Sequence, residues 1–205
     1  MTTMKAGLAL LTCPLAALTA SALKGTADVA NLPSFAAGAW KSDGSELYFY
    51  GNRLNARGGK FYVNEDGNPY CPDGVASLDC SQFNGRETNL VVGGDTGTAS
   101  LDVTVPGGQQ VYLAPDGSLS FTQAHSAYIP EGSTISGFYL DTIDGEGPSP
   151  FLFNDDRTWY LCPVGDGSLP QIPYQVVASE EPLEECVRVE IKTYTPEGGP
   201  VWQFN

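Results

Sequence analysis

Apolar and polar residues alternate with a period of two in several parts of the chain. In ASLDVTV (residues 99–105), apolar residues occupy every second position from Ala99 to Val105, and polar residues lie between them. CVRVEIKTY (186–194) repeats the pattern, with Val187, Val189 and Ile191 on one face. This period is typical of half-buried β-strands. Long runs with the 3.6-residue period of a helix are missing after residue 22, so the pattern predicts an all-β fold.

Turn residues separate the apolar runs and predict how the strands connect. QVYLAPDGSLSFTQ (110–123) predicts a hairpin, because Pro115 presets φ and Gly117 can adopt positive φ between two apolar runs. ELYFYGN (46–52) and KFYVNEDG (60–67) predict a second strand pair, joined through GNRLNARGG (51–59). Many short strands with regular turn signals favour a single-domain sandwich or irregular barrel.

A weak internal repeat offers an alternative fold. KFYVNEDGNPYCP (60–72), QVYLAPDGSLSFTQ (110–123) and PFLFNDDRTWYLCP (150–163) each place apolar residues on both sides of an Asp-containing turn. Such a repeat is compatible with a threefold β-trefoil. It is equally compatible with unrelated hairpins that use the same turn chemistry.

The N-terminus predicts secretion. Lys5 precedes the apolar stretch 6–18, and Ala20-Ser21-Ala22 provides an A-x-A cleavage site. The apolar stretch is too short to span a membrane, so residues 1–22 are predicted to be a signal peptide cleaved after Ala22. Residues 23–205 then form one predicted domain, and Cys13 is removed.

Four cysteines follow the signal peptide, and an even number in a secreted chain predicts two disulfides. Of the three pairings, we favour Cys71–Cys80 and Cys162–Cys186, because each closes a local loop. The second bridge would hold a predicted surface loop at 163–173. The spacing disfavours zinc, since there is no C-x-x-C motif.

The formal net charge is −14. An acidic chain without Lys/Arg clusters disfavours nucleic acid as a partner. No second hydrophobic segment follows the signal peptide, and the end GGPVWQFN (198–205) is too short and polar for a lipid-anchor signal. We therefore expect a secreted protein that is free of the membrane after cleavage.

His125, the only histidine, lies in FTQAHSAYIP (121–130) and is the natural candidate for acid–base chemistry. Ser120 and Ser126 are possible nucleophiles, but no G-x-S-x-G motif is nearby. We predict instead that the segment is a strand exit and corner. In that interpretation His125 donates a structural hydrogen bond to a backbone carbonyl.

Carboxylates give little indication of a site. Glu190 shares its strand face with Arg188 and Lys192, which predicts a solvated face rather than one half of a glycosidase pair. DTIDGEG (141–147) is acidic but lacks the spacing of an EF-hand loop. The glycine-rich stretches 91–100 and 105–110 lack the P-loop lysine.

Aromatic residues form 11% of the chain, and exposed ones would suit sugar stacking. Trp159 and Trp202 lie among apolar neighbours, which favours core packing for both. From the residues alone, no catalytic residue, metal ligand or cofactor is predicted, and no ligand-binding residue is assigned.

The stretch SLDVTVPGGQQVYLAPDGSLSFTQAHSAYIPEGS (100–133) resembles a family of small secreted fungal proteins, described as cell-wall or IgE-binding-like proteins. Residues 35–63, the cysteine contexts and the VWQFN end extend the resemblance more loosely. It implies an extracellular or wall-associated protein without known catalysis, and it transfers no functional residue.

Three functions follow as expectations. The first is a non-enzymatic structural or interaction protein of the fungal surface, with wall polysaccharide or other wall proteins as partners. The second is a carbohydrate-binding module that acts on wall polysaccharide. The third is a small secreted hydrolase, which would require His125 or two carboxylates to converge in a pocket.

Overall fold

A computed structural model describes residues 34–40, 52–75, 77–93, 97–146, 149–165 and 172–205. The predicted signal peptide, Cys13 and the predicted strand 46–52 (except Asn52) lie outside these residues. The described strands are β1 (Phe35–Trp40), β2 (Asn55–Arg57), β3 (Lys60–Val63), β4 (Pro69–Tyr70), β5 (Asn89–Gly93), β6 (Thr98–Leu101), β7 (Gln109–Leu113), β8 (Leu119–Phe121), β9 (Phe138–Asp141), β10 (Phe151–Asn154), β11 (Thr158–Pro163), β12 (Tyr174–Ser179), β13 (Val187–Tyr194) and β14 (Gln203–Phe204). One short 3-10 helix spans Cys80–Gln82.

Nine of these described strands form a closed antiparallel barrel, in the order β1-β5-β6-β7-β8-β3-β12-β11-β13 and back to β1. The closing pair aligns Ala36 with Tyr194 and Trp40 with Glu190. β10 and β9 extend the sheet beyond β13, β2 pairs with β3, and β14 pairs with β4 in a separate small sheet. The prediction of an all-β fold is confirmed, and its barrel form replaces the sandwich.

The alternative of a β-trefoil is wrong. Only the second of the three similar stretches forms a hairpin between neighbouring barrel strands, β7 and β8. In the first stretch β3 and β4 belong to different sheets, and in the third β10 pairs with β9 and β13 instead of running along β11. The similarity therefore reflects shared turn chemistry rather than a structural repeat.

The predicted alternation produces the barrel core. In β13 every second residue from Val189 to Thr193 is buried, and in β6 Ala99 and Leu101 are buried. The strand predicted for 99–105 ends at Leu101, because the backbone beyond it bonds to the C-terminal segment: Thr104 N donates to Val201 O and Val105 N to Trp202 O. Val105 is still buried, so the apolar face continues past the strand.

The hairpin around Lys60–Val63 differs from the prediction. β3 pairs with β2, which lies inside the predicted connection 51–59, and Gly58 and Gly59 form the turn with φ values of +60° and +80°. Two consecutive glycines at positive φ allow a two-residue connection that is much shorter than the predicted one. The prediction treated these glycines as part of a long loop.

The structure forms both favoured disulfides, Cys71–Cys80 and Cys162–Cys186. The second joins β11 to the residue before β13, beside the registered pair of Leu161 and Val187. The predicted loop 163–173 connects β11 to β12, and residues 166–171 of it lie outside the described ones. Among the described residues, no helix is long and apolar enough to cross a membrane.

Buried Gln109 fastens the C-terminal strand to the barrel. Its Nε2 donates to Phe204 O and Thr122 O, each at 2.9 Å, and its Oε1 accepts from Phe204 N at 2.8 Å. A buried amide is tolerated when all its hydrogen-bonding groups are paired, as the amide of Gln109 is. This network holds Phe204 in the core and fixes Thr122 at the end of β8.

Barrel closure should be sensitive to a single methyl group at Gly38. A Cβ there would lie 2.9 Å from Asn52 O and 3.0 Å from the Tyr194 ring. We expect Gly38→Ala to lower the free energy of unfolding by about 1–3 kcal/mol, measured by urea denaturation. Gly93→Ala is the matched control, because a Cβ in that strand meets no atom within 4 Å. Equal stability of the two variants would contradict a close-packed closure.

The two disulfides should contribute unequally. They close loops with sequence separations of 9 and 24 residues. Loop-closure entropy predicts a loss of about 3 kcal/mol for each, with the larger loss for the longer loop. The double variants Cys71→Ala/Cys80→Ala and Cys162→Ala/Cys186→Ala test this by urea denaturation. A larger loss for the first pair would show that unfolded-chain entropy does not dominate.

Candidate functional site

A cavity of about 510 Å³ lies beside the β7–β8 hairpin and the segment that follows it. We call it the Tyr128 groove and define it by Lys60, Tyr112, Asp116, Ser118, Ser126 and Tyr128. β7 and β8 supply its floor, and the turn at Gly58 and Gly59 places Lys60 at its side. The groove thus combines aromatic, hydroxyl and charged side chains.

Tyr128 is the most exposed large aromatic or aliphatic residue of the described chain, at 75%. Tyr112 lines the same cavity and is buried, with 9% of its surface exposed. Burial raises the pKa of the Tyr112 phenol, and the neighbouring Tyr128 and Asp116 raise it further. Among the described residues, no protein group forms a hydrogen bond with the Tyr112 hydroxyl. The groove therefore offers an exposed ring and a phenol that is free to bond to a ligand.

Asp116 is held ionised at the edge of the groove. Its Oδ1 accepts hydrogen bonds from the Ser118 hydroxyl at 2.6 Å and from Ser118 N at 3.0 Å. The Ser118 hydroxyl is the main reason why the pKa of Asp116 lies below its ordinary value. Lys60 Nζ lies 3.7 Å from Asp116 Oδ2, so the two charges compensate each other.

The turn that presents Asp116 requires glycine at position 117. Gly117 has a φ of +79°, and a Cβ there would lie 2.5 Å from Ala178 O. Ala178 N also donates to Gly117 O, so the turn packs directly on β12. The predicted Pro-Asp-Gly turn is confirmed, and its contact with β12 makes this wall of the groove rigid.

His125 follows β8, as predicted, but it does not form the predicted bond to a backbone carbonyl. Its φ is +61°, and the turn is closed by Ser126 N donating to Gln123 O at 3.1 Å. Histidine is among the few non-glycine residues that tolerate this conformation. The ring is exposed, and no hydrogen bond joins it to a described residue. It lines a second cavity of about 310 Å³.

The candidate nucleophiles are not paired with His125. Ser120 is buried, and its hydroxyl donates to Ser118 O at 3.2 Å. The Ser126 hydroxyl accepts from Tyr128 N at 3.2 Å. A Ser–His pair needs a hydrogen bond between hydroxyl and imidazole, and neither described serine makes one with His125.

Glu190 lies on a half-buried surface rather than the predicted solvated face. Lys192 Nζ lies 3.7 Å from the centre of the Trp40 ring. One carboxylate oxygen of Glu190 is buried and has no hydrogen-bond partner among the described residues. The sequence pattern suggested exposure because Arg188 and Lys192 share this face. Trp40 on the closing strand β1 packs against Lys192, whereas Arg188 is exposed as predicted.

The other candidate groups have structural roles. Glu146 Oε2 accepts from Trp40 Nε1 at 2.8 Å, and no metal-ligating cluster occurs among the described residues. Trp159 is buried and donates to Leu152 O, as its predicted core position requires. Trp202 packs edge-on against Phe83. In the glycine-rich stretch 105–110, Gly108 N donates to Val105 O and closes a turn before β7, whereas residues 94–96 of the stretch 91–100 lie outside the described ones.

Sequence reasoning missed Tyr128, although one signal was available. Tyr128 lies in AHSAYIPEG (124–132), outside the alternating runs and between two turns. An aromatic residue in such a segment has no strand face to bury it. Tyr128 lines one cavity with Tyr112 and Lys60 only in the folded chain, so the sequence alone does not indicate this arrangement.

The hydrogen bond between Ser118 and Asp116 should be visible in acid titrations. We expect Ser118→Ala to raise the pKa of Asp116 towards its ordinary value, measured by carbon-13 NMR of the carboxyl group. The pKa of Asp79, lowered mainly by the Ser81 hydroxyl, is the internal reference and should not change.

The same bond should affect stability in acid. Because the pKa of Asp116 is lower in the folded state, its stabilisation is present above the unfolded value of about 3.9 and is lost as pH falls through the folded value. Ser118→Ala should therefore flatten the dependence of stability on pH below about 4. An unchanged Asp116 pKa in Ser118→Ala would contradict this assignment.

Comparison with known proteins adds one relative. No family model matches the chain, and no solved structure matches it. A protein of Arthroderma benhamiae described as an "Uncharacterized secreted protein" is 32% identical over an alignment of 160 residues that covers 74% of this chain and 76% of that protein. Similarity of this extent shows common descent. The chain therefore belongs to the family of secreted fungal proteins that includes this Arthroderma benhamiae protein.

Proposed function

We propose that this protein is a non-enzymatic extracellular protein of the fungal surface that binds wall polysaccharide in the Tyr128 groove. One observation carries the proposal: Tyr128, which is 75% exposed, lines a cavity of about 510 Å³. A tyrosine left this exposed has no packing role in the barrel. The membership of this chain in a family of secreted fungal proteins supports a ligand outside the cell, and wall polysaccharide is such a ligand.

The groove has the chemistry that a sugar ring needs. A pyranose has an apolar face of C–H groups, which packs on the electron-rich face of an aromatic ring such as Tyr128. Its edge carries hydroxyls, which need hydrogen-bond donors and acceptors at fixed positions. The Tyr112 phenol, Lys60 Nζ and the Asp116 carboxylate provide these groups around one cavity.

The charges of the groove favour a neutral polysaccharide. Lys60 and Asp116 compensate each other across 3.7 Å, so the groove has no excess of cations for an anionic glycan. The formal net charge of −14 also repels anionic polymers at long range. Chitin, glucan and mannan are neutral in their main repeating units, which makes them the appropriate probes.

Two observations support binding without hydrolysis. Among the described residues, Asp116 is the one carboxylate that lines the groove, whereas glycoside hydrolysis ordinarily uses two. The pKa of Asp116 is lowered, mainly by the Ser118 hydroxyl, whereas the general acid of a glycosidase needs a raised pKa.

Of the resemblance to cell-wall and IgE-binding-like proteins, the proposal uses only the association with the cell wall. Association with the wall follows if the groove retains wall polysaccharide. IgE binding describes the response of a host and assigns no molecular task to the groove.

Binding should depend on Tyr128. We expect the protein to be retained by at least one of insoluble chitin, β-1,3-glucan and mannan, and Tyr128→Ala to weaken retention at least tenfold. A tenfold loss corresponds to about 1.4 kcal/mol, within the range for one aromatic contact. Tyr70→Ala is the matched control, because Tyr70 is also exposed but lies on β4, outside the groove.

The same incubations distinguish the alternatives. Retention on none of the three polymers would overturn the proposal. If the protein releases soluble sugar and substitution of Asp116 or His125 abolishes this release, the protein is a hydrolase and the proposal is wrong. Equal retention of the Tyr128→Ala and Tyr70→Ala variants would mean that the binding surface lies outside the groove.

A further inference from the structure

The second cavity, which His125 lines, adjoins the Tyr128 groove. It measures about 310 Å³, and Thr122 and Ser126 line both cavities. We infer that the two cavities form one binding path, and that the ligand is an internal segment of a polysaccharide chain that occupies both. This inference rests on the proposed function and adds a second subsite to it.

The conformation of His125 is the first argument for this subsite. His125 has a φ of +61°, a sparsely populated backbone conformation even though histidine adopts it more readily than most residues. The exposed ring makes no hydrogen bond to a described residue that would explain this conformation. Such outliers are frequent at binding sites, where the strained backbone directs a side chain at the ligand.

The His125 ring has what a sugar hydroxyl requires. An imidazole ring can hydrogen-bond through both of its nitrogens, and neither nitrogen of His125 bonds to a described residue. Gln110 lies on the same cavity and can donate and accept through its side-chain amide. Glycines 107 and 108 complete the wall without side chains, so the cavity remains open to a polymer.

The boundary between the two cavities is rigid. Thr122 is buried, its hydroxyl accepts from Gln110 N at 2.9 Å, and its carbonyl accepts from Gln109 Nε2. Gln109 is itself bonded to both polar backbone groups of Phe204. The distance between the subsites is therefore set by the barrel before a ligand arrives, which lowers the entropy cost of binding.

Two joined subsites predict that affinity depends on ligand length. A short ligand fills only one cavity, whereas a longer chain reaches the second as an intramolecular event and gains affinity from both. Affinity should therefore rise with the number of sugar units and reach a plateau when both cavities are filled. A single subsite would give the same affinity for every length that fills it.

The test uses soluble oligosaccharides of chitin, β-1,3-glucan and mannan, from disaccharide to hexasaccharide, titrated by calorimetry into residues 23–205, the chain without its predicted signal peptide. For the series that binds, we expect affinity to rise at least tenfold before the plateau. His125→Gly removes the ring and keeps the left-handed backbone, because glycine adopts positive φ readily. This variant should lower the affinity at the plateau at least threefold. It should leave the affinity for the shortest oligosaccharide that binds unchanged.

The control is Glu185→Gly, which makes the same backbone change at an exposed residue with a φ of +64° outside both cavities. It should leave every affinity unchanged. Tyr128→Ala should weaken ligands of all lengths.

The outcomes separate this inference from the proposed function. Two outcomes would overturn the second subsite alone. One is an affinity that depends on Tyr128 but not on ligand length, and the other is a plateau affinity that His125→Gly does not lower. Absence of binding in all three series overturns the proposed function together with the inference.

Discussion

The antiparallel pairing of β1 with β13 is the constraint on which the rest of the structure depends. It joins the first described strand to the last long one through five registered residue pairs, from Ala36 with Tyr194 to Trp40 with Glu190. The sequence FAAGAW permits it, because small side chains let β1 lie buried between β5 and β13. Without this pair the nine strands would form an open sheet with two exposed edges.

Closure also determines where the groove lies. The β7–β8 turn packs on β12 through Gly117 and Ala178, and the C-terminal strand is tied to β7 through Gln109. Both contacts join parts of the chain that are distant in sequence. The walls of the groove are therefore fixed by the barrel, and Tyr128 projects from the segment that leaves it. A rigid groove with an exposed ring suits a repetitive, stiff ligand better than a ligand that must be enclosed.

The chemistry of the groove is consistent with a protein that works outside the cell. Two disulfides cross-link the chain, which suits an oxidising compartment. The acidic surface keeps such a protein soluble and away from other acidic polymers. Lys60 and Asp116 form a compensated pair that offers charged hydrogen bonds with little net charge. The proposed recognition of a sugar would therefore depend on shape and on the positions of its hydroxyls.

The sequence by itself determined the class of the fold, because period-two alternation in 99–105 and 186–194 and the Pro115-Asp116-Gly117 turn are local properties of strands and hairpins. It also favoured the correct disulfides, since both loops are short. Only the tertiary structure decided between barrel and sandwich, since that choice rests on the long-range pairing of β1 with β13. The same is true of the site. His125 attracted attention by its chemistry, whereas Tyr128 became the candidate because folding buries other aromatic rings such as Trp159 and leaves this one exposed beside Tyr112 and Lys60.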